Sequence, residues 1–103
     1  MSTATRMVEL DRRRAILAAL FVAPGYTLAR AALHRRIEVV GYVVSGDGLD
    51  IDLAWLSDEA GLVDQLELDA VRLTDRGADI VLGRASVPGV ARPAPGEIPY
   101  GAR

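Results

Sequence analysis

Residues 45–83, SGDGLDIDLAWLSDEAGLVDQLELDAVRLTDRGADIVLG, decide the fold. Ser45 suits a helix N-cap, because its hydroxyl can accept a hydrogen bond from an amide of the first turn. Gly61 stands where a left-handed residue would end that helix. One helical face is predicted between them by the spacing of Leu49, Leu53, Leu56 and Ala60.

A hairpin and a last short helix are predicted after Gly61. Residues 62–68 indicate a strand, because Leu66 and Leu68 alternate with polar neighbours. Residues 68–70 are short enough for a hairpin loop, and residues 71–73 return as the partner strand. Thr74 opens a helix that Gly83 ends. Helix, hairpin and helix in this order predict an α+β, mainly helical winged helix-turn-helix.

Two further helices are predicted before this stretch. The first runs from about Glu9 to Val22, where residues 24–25 (Pro-Gly) stop it. The second starts after Thr27, another N-cap candidate, and ends at Gly41. Residues 42–44 are apolar and β-prone and suit a small third strand beside the hairpin. The expected core contains Leu17, Leu20, Phe21, Leu33, Ile37, Leu49, Leu53, Leu56, Leu66, Leu73 and Val81.

The sequence is therefore expected to form a winged-helix domain over residues 1–83 and a Pro/Gly-rich tail over residues 84–103. The prolines of the tail fix extended geometry and remove amide donors, so no regular structure is expected there. Two readings of the tail stay open, a docked arm and a disordered tail. The apolar residues available for docking are Val87, Val90, Ile98 and Tyr100.

Composition indicates a soluble cytoplasmic protein. A chain of 103 residues with 50% hydrophobic content suits one domain with a single core. Cysteine is absent, which excludes disulfides and thiolate metal sites. The N-terminus becomes charged before any apolar run long enough for a signal peptide, and no run approaches the length of a membrane span.

Charge is distributed unevenly along the chain. Residues 1–44 carry seven arginines against three carboxylates, a balance of +4, whereas residues 45–83 carry two arginines against ten carboxylates, a balance of −8. Residues 84–103 return to +2, with three arginines and one glutamate. Blocks of opposite sign indicate surfaces that meet different partners or one another.

The helix that begins at Ser45 would be the recognition helix, whose first half enters the major groove in DNA-binding proteins. Here that half carries Asp47, Asp50 and Asp52, and none of the Arg, Lys, Asn or Gln side chains that read bases. Insertion of this helix into DNA is therefore disfavoured. The arginines expected to contact DNA phosphates are Arg30, Arg35 and Arg36 of the second helix and Arg72 of the wing.

Ile51 and Trp55 are spaced i, i+4 and point away from the leucine face of the same helix. Two large apolar side chains on that side need cover, either from the first helix or tail, or from a second protein. We expect Trp55 to lie in or beside a homodimer contact, with Ile51 as its neighbour.

Catalytic and metal-binding residue sets are not found in the sequence. His34 is the single histidine and is expected on the surface. Asp50 and Asp52 are two residues apart and so point to different helix faces, which prevents them from sharing one metal or proton. The run of residues 12–14, three arginines, is expected to form a solvated helix edge. We expect neither enzymatic activity nor a cofactor.

Five segments of the sequence carry a resemblance to known proteins: GYTL, S-x-D-x-L-x-x-DLAWL, DEAGLV, RLTDRGADIVLG and VPGVARPAPG, which together cover most of the chain after Pro24. With these segments the chain resembles a family of small winged-helix (ArsR-like) proteins of Mu-like phages and prophages. The matching residues are Gly25, Tyr26, Ser45, Leu53, Trp55, Leu56, Gly61, Leu62, Thr74, Gly77, Gly83, Pro88 and Gly89. The resemblance implies a winged-helix fold and a phage context near head and packaging functions, in the cytoplasm of a bacterial host cell. It implies no catalytic or ligand-binding residues.

Two functions remain open from the sequence. The first, which the predicted fold and the resemblance favour although the charges do not, is a DNA-binding regulator or accessory factor that contacts duplex DNA through the four arginines named above. The second is a protein-interaction module that does not bind DNA, such as a homodimeric adaptor in phage assembly or packaging with a phage protein as partner.

Overall fold

The computed structural model describes residues 3–93. They form four α-helices and one three-stranded antiparallel sheet, so the fold is α+β and mainly helical. In chain order the elements are α1 (Thr3–Phe21), β1 (Thr27–Ala29), α2 (Arg30–Val39), α3 (Gly46–Ala54), β2 (Val63–Leu66), β3 (Ala70–Leu73) and α4 (Asp75–Val81). The strand order is β1-β3-β2, with the β2–β3 hairpin at one edge. No helix of the described chain is both long enough and apolar enough to cross a membrane.

The third strand lies before α2, and the prediction that residues 42–44 would supply it is wrong. Thr27 pairs with Arg72 and Ala29 with Ala70, which places β1 on the open side of β3. The Thr27 hydroxyl donates to the carbonyl of Gly25 at 2.8 Å, so it does not cap α2 as the sequence suggested. Instead the first amide of α2, that of Arg30, donates to the Asp69 carbonyl of the hairpin at 2.7 Å.

α3 begins as predicted and ends differently. The Ser45 hydroxyl accepts a hydrogen bond from the Gly48 amide at 3.0 Å, which confirms the N-cap. After Ala54 the helix widens into a π turn over Trp55–Glu59, where the Ala60 amide donates to the Trp55 carbonyl five residues back. Gly61 then adopts the expected left-handed conformation, with φ of +66°.

α4 is capped by Thr74, as the sequence predicted. Its hydroxyl accepts from the Gly77 amide at 3.0 Å and donates to the Gly61 carbonyl at 2.9 Å. Gly77 has no room for a side chain, because a Cβ there would lie 2.2 Å from the Leu62 carbonyl oxygen. This close approach packs the start of α4 against the segment between the π turn and β2.

The core lies between α1, α2, α3 and the inner face of the sheet. Of the eleven predicted core residues, nine are buried, whereas Phe21 and Leu66 are only half-buried. Phe21 stacks on Tyr26, with 5.5 Å between ring centroids, beside the turn that follows α1. The sequence reasoning missed the buried residues Ile16, Leu62, Val63, Val71 and Ile80.

The first half of the predicted tail packs against α1. The Ala91 amide donates to the Leu10 carbonyl at 3.2 Å, and Val90 is buried within the core. Residues 84–93 therefore form a docked arm, and they contain no regular secondary structure. The other two apolar residues considered for docking, Ile98 and Tyr100, lie outside the described residues.

Candidate functional site

The outward face of α3 and the hairpin together form an acidic surface. Residues 46–69 contain eight carboxylates and no basic residue. Asp47, Asp50 and Asp58 are exposed along the α3 side, and Asp64 and Glu67 along the hairpin. Asp47 lies in the first turn of α3, where a negative charge complements the helix dipole.

Ile51 is an apolar residue in the middle of this acidic face. It is 67% exposed and stands between the exposed carboxylates of the helix. An isoleucine at this position adds nothing to the core, so its apolar side chain is available to a partner.

Asp52 departs from the acidic surface and is directed into the protein. Its side chain is only 1% exposed, and its carboxylate accepts hydrogen bonds from Arg12 and, at 3.2 Å, from Arg13. Asp50, two residues earlier, is exposed, so the two carboxylates do lie on different faces. Asp52 therefore joins α3 to α1 and contributes nothing to the repulsion of DNA.

Arg13 is buried, so the prediction that residues 12–14 form a solvated helix edge is wrong at this position. It is 6% exposed, and its guanidinium bridges Asp52, Glu9 at 2.7 Å and the Gly89 carbonyl at 3.2 Å. Each partner satisfies a different part of the guanidinium, which is what a buried charge requires. Arg13 consequently connects α1, α3 and the segment after α4.

Trp55 is half-buried within its own chain. The guanidinium carbon of Arg13 lies 4.2 Å from the centre of the indole ring, a distance suited to a cation–π contact. Gly89, in the docked arm, also covers the ring, since a Cβ on Gly89 would lie 2.5 Å from two indole carbons. The first helix and the docked arm thus provide cover, so Trp55 no longer requires a second subunit for burial.

The hydrogen bond from Arg12 to Asp52 raises the pKa of the Arg12 guanidinium, and the negative charge of Asp52 adds to the effect. Partial burial acts in the opposite direction and is outweighed. Arg12 therefore stays charged at neutral pH. Its ion pair with Asp52, which joins α1 to α3, does not depend on titration of the guanidinium.

Two of the four arginines proposed for DNA are paired with carboxylates of the acidic surface. Arg30 donates to Asp50 at 2.6 Å and to the Gly46 carbonyl at 2.7 Å, which ties the start of α2 to the start of α3. Arg72 faces Asp64 across the hairpin at 3.4 Å. A phosphate would have to compete with these partners for both guanidinium groups.

Arg35 and Arg36 differ from these two. Both are exposed on α2, and neither forms an ion pair within residues 3–93. Of the four arginines expected to contact phosphates, Arg35 and Arg36 are therefore accessible, whereas Arg30 and Arg72 are already paired with carboxylates.

An apolar groove lies between α1 and the end of α2, beside Arg36. Its volume is about 380 Å³, and small side chains on α1 leave the space open. The groove is lined by Arg14, Ala15, Ala18, Ala19, Val22, Arg36, Val40 and Tyr42.

The tip of the hairpin carries a leucine that touches nothing else. Leu68 is 98% exposed, and its backbone has φ of +59°, which is uncommon for a residue other than glycine, asparagine or aspartate. Glu67 and Asp69 flank it. The sequence pattern places Leu68 both at the end of the strand and at the start of the hairpin loop. Because β2 ends at Leu66, Leu68 lies in the loop.

His34 is half-buried and linked to the loop before α3. Its Nε2 donates to the Val44 carbonyl at 2.6 Å, which holds that loop against α2. Among residues 3–93, no group of three or more His, Asp or Glu side chains could hold a metal ion.

Comparisons of the chain with known protein families, with curated proteins and with solved structures found no match.

Proposed function

We propose that this protein is a winged helix-turn-helix module that binds other proteins through the acidic face of α3 and the hairpin. The fold assignment rests on the order of elements, helix-strand-helix-helix-strand-strand, with β1 beside β3. In such a fold α3 takes the place of the recognition helix and the hairpin takes the place of the wing.

The observation that carries the proposal is the charge of the would-be recognition surface. Every charged residue from 46 to 69 is a carboxylate, and the nearby Arg30 and Arg72 are paired with two of them. DNA phosphates repel such a surface, and the first half of α3 carries none of the Arg, Lys, Asn or Gln side chains that read bases. The exposed Ile51 adds an apolar centre with a charged rim, the usual composition of a protein contact.

The resemblance of the sequence to small winged-helix proteins of Mu-like phages gives this proposal a biological setting. In that setting the module serves as an adaptor during phage assembly or packaging, with a basic, partly apolar surface of a phage protein as its partner. A basic partner follows from the carboxylates around Ile51, since complementary charge speeds encounter and excludes acidic competitors.

A DNA-binding regulator or accessory factor is the second candidate. Arg35 and Arg36 favour it, because the first helix of a helix-turn-helix crosses the DNA backbone and α2 presents both arginines to solvent. Contacts of this kind would be made to phosphates alone and would be independent of sequence.

Neutralising Asp47 tests whether the negative charge of α3 keeps this helix off DNA. If the α3 face is kept off DNA by its charge, Asp47→Asn should bind a labelled duplex about fivefold more tightly than wild type at low salt. This factor corresponds to about 1 kcal/mol, the repulsion between one carboxylate and one phosphate about 4 Å apart in water. Fluorescence anisotropy of the duplex measures this change.

Asp75→Asn is the matched control for that experiment. Asp75 is likewise an exposed aspartate in the first turn of a capped helix, so both variants change the net charge and the helix dipole equally. Loss of DNA binding in Asp47→Asn alone would show that α3 reads DNA and would overturn the proposal.

A further inference from the structure

We propose that the hairpin tip of one copy of this protein docks into the apolar groove between α1 and α2 of a second copy. The proposal rests on the protein-interaction function and names one partner for it, a second copy of this chain. The contact joins two different surfaces, so each copy uses its tip on one neighbour and its groove on another.

The tip has the form of an anchor. A leucine with 98% exposure and positive φ combines an apolar surface in water with a strained backbone, and neither feature helps the isolated fold. Asparagine or glycine would suit this turn better. The hydrogen bond from the Arg30 amide to the Asp69 carbonyl holds the tip in place, so the leucine is presented by a rigid support.

The groove is complementary to the tip in apolar character and in charge. Ala18 and Ala19 keep its floor open, and Val40 supplies an apolar wall. Arg36 stands at its edge without an ion pair among the described residues, while Glu67 and Asp69 flank Leu68 on the tip. Insertion of the leucine would therefore bring the two carboxylates towards the arginine.

A single copy cannot make this contact with itself. The tip is fastened to the first residue of α2, whereas Arg36 and Val40 belong to its other end. The ten residues of α2 separate the two surfaces by about 15 Å. The opposite net charges of residues 1–44 and 45–83 favour the same head-to-tail arrangement.

Contacts between two different surfaces continue from copy to copy, and they close into a ring or extend as a chain. This property provides a test by mixing. A variant without the tip anchor still has a groove, and a variant with a blocked groove still has a tip. Neither should assemble alone, but together they should form a 1:1 dimer that cannot grow further.

The tip variant is Leu68→Asn, which suits positive φ and therefore keeps the fold. The groove variant is Val40→Asp, at a position that is 63% exposed and so tolerates a charge. Val39→Asp is the matched control, because Val39 is the exposed neighbour that does not line the groove. Circular dichroism verifies that all three are folded.

Sedimentation velocity over a range of protein concentrations measures the outcome. We expect wild type and Val39→Asp to grow in mass with concentration. Leu68→Asn alone and Val40→Asp alone should associate at least about thirtyfold more weakly, the loss expected when a central anchor is removed. The mixture of the two defective variants should sediment as a dimer. High salt should weaken all of these contacts.

Wild-type protein that stays monomeric, or assembly that survives Leu68→Asn, would overturn the tip-in-groove contact. So would a mixture that stays monomeric. Labelled duplex DNA in a parallel cell distinguishes this failure from failure of the proposed function. Monomeric protein that ignores DNA overturns only the self-contact, whereas salt-sensitive DNA binding overturns the protein-interaction function.

Discussion

Replacing Asp52 with alanine is expected to lower the free energy of unfolding by about 3–5 kcal/mol, the usual cost of removing one partner from a buried ion pair. Asp52 is 1% exposed and is shared by Arg12 and Arg13. Without it, the buried Arg13 keeps Glu9 and the Gly89 carbonyl but loses its partner on α3. Urea unfolding followed by circular dichroism measures the change.

Asp50→Ala is the control for Asp52→Ala. It removes the same side chain from the same helix, but Asp50 is exposed and pairs with Arg30 at the surface. Such pairs contribute about 0–1 kcal/mol. Equal unfolding midpoints for the two variants would contradict the assignment of Asp52 as the buried link between α1 and α3.

Replacing Leu53 with alanine is expected to cost about 2–5 kcal/mol, the range for truncation of a fully buried leucine. Leu53 has no exposed surface and belongs to the cluster that joins α3 to α1, α2 and the sheet. Its loss leaves a cavity that the rigid neighbours fill only partly. The same urea titration gives the difference in stability.

Ile51→Ala is the comparison for Leu53. Ile51 lies two residues earlier on the opposite side of α3 and is 67% exposed, so its truncation should change stability by less than about 0.5 kcal/mol. A wild-type midpoint for Leu53→Ala would show that α3 is rotated relative to the arrangement described.

Local signals account for the parts of the fold that the sequence predicted correctly. Ser45 and Thr74 cap helices because a hydroxyl and an amide three residues later are neighbours along the chain. The leucines of α3 are buried because their spacing places them on one face. Neither inference needs information about distant residues.

Long-range pairing explains what the sequence did not predict. β1 is three residues long and exists through its register with β3, more than forty positions later, so residues 27–29 show no local strand pattern. The π turn after Ala54 likewise interrupts a stretch whose leucine spacing predicts a continuous α-helix.

The helical spacing of Asp52 and Arg13 indicates burial, although charged side chains are usually exposed. Asp52 follows Leu49 by three positions and precedes Leu56 by four, so it belongs to the leucine face. Arg13 stands in the same relation to Leu17. A carboxylate on one apolar face and an arginine on another indicate a buried pair, but the sequence does not state which residues meet.

The candidate site could be predicted in its charge and only partly in its geometry. The acidic character of α3 and the hairpin is evident from the sequence, as is the position of Ile51 away from the leucine face. The pairing of Arg30 with Asp50 depends on the angle between α2 and α3, which no local pattern encodes. The exposure of Leu68 depends on where the hairpin turns.

Sedimentation of a labelled duplex with and without the wild-type protein at low salt tests most directly whether the acidic face of α3 and the hairpin serves proteins rather than DNA. Phosphate attraction is strongest at low salt, and nonspecific binders associate there well below roughly 100 micromolar. We predict that the sedimentation coefficient of the DNA is unchanged at this protein concentration. A faster-sedimenting complex that disappears as salt is added would contradict the account.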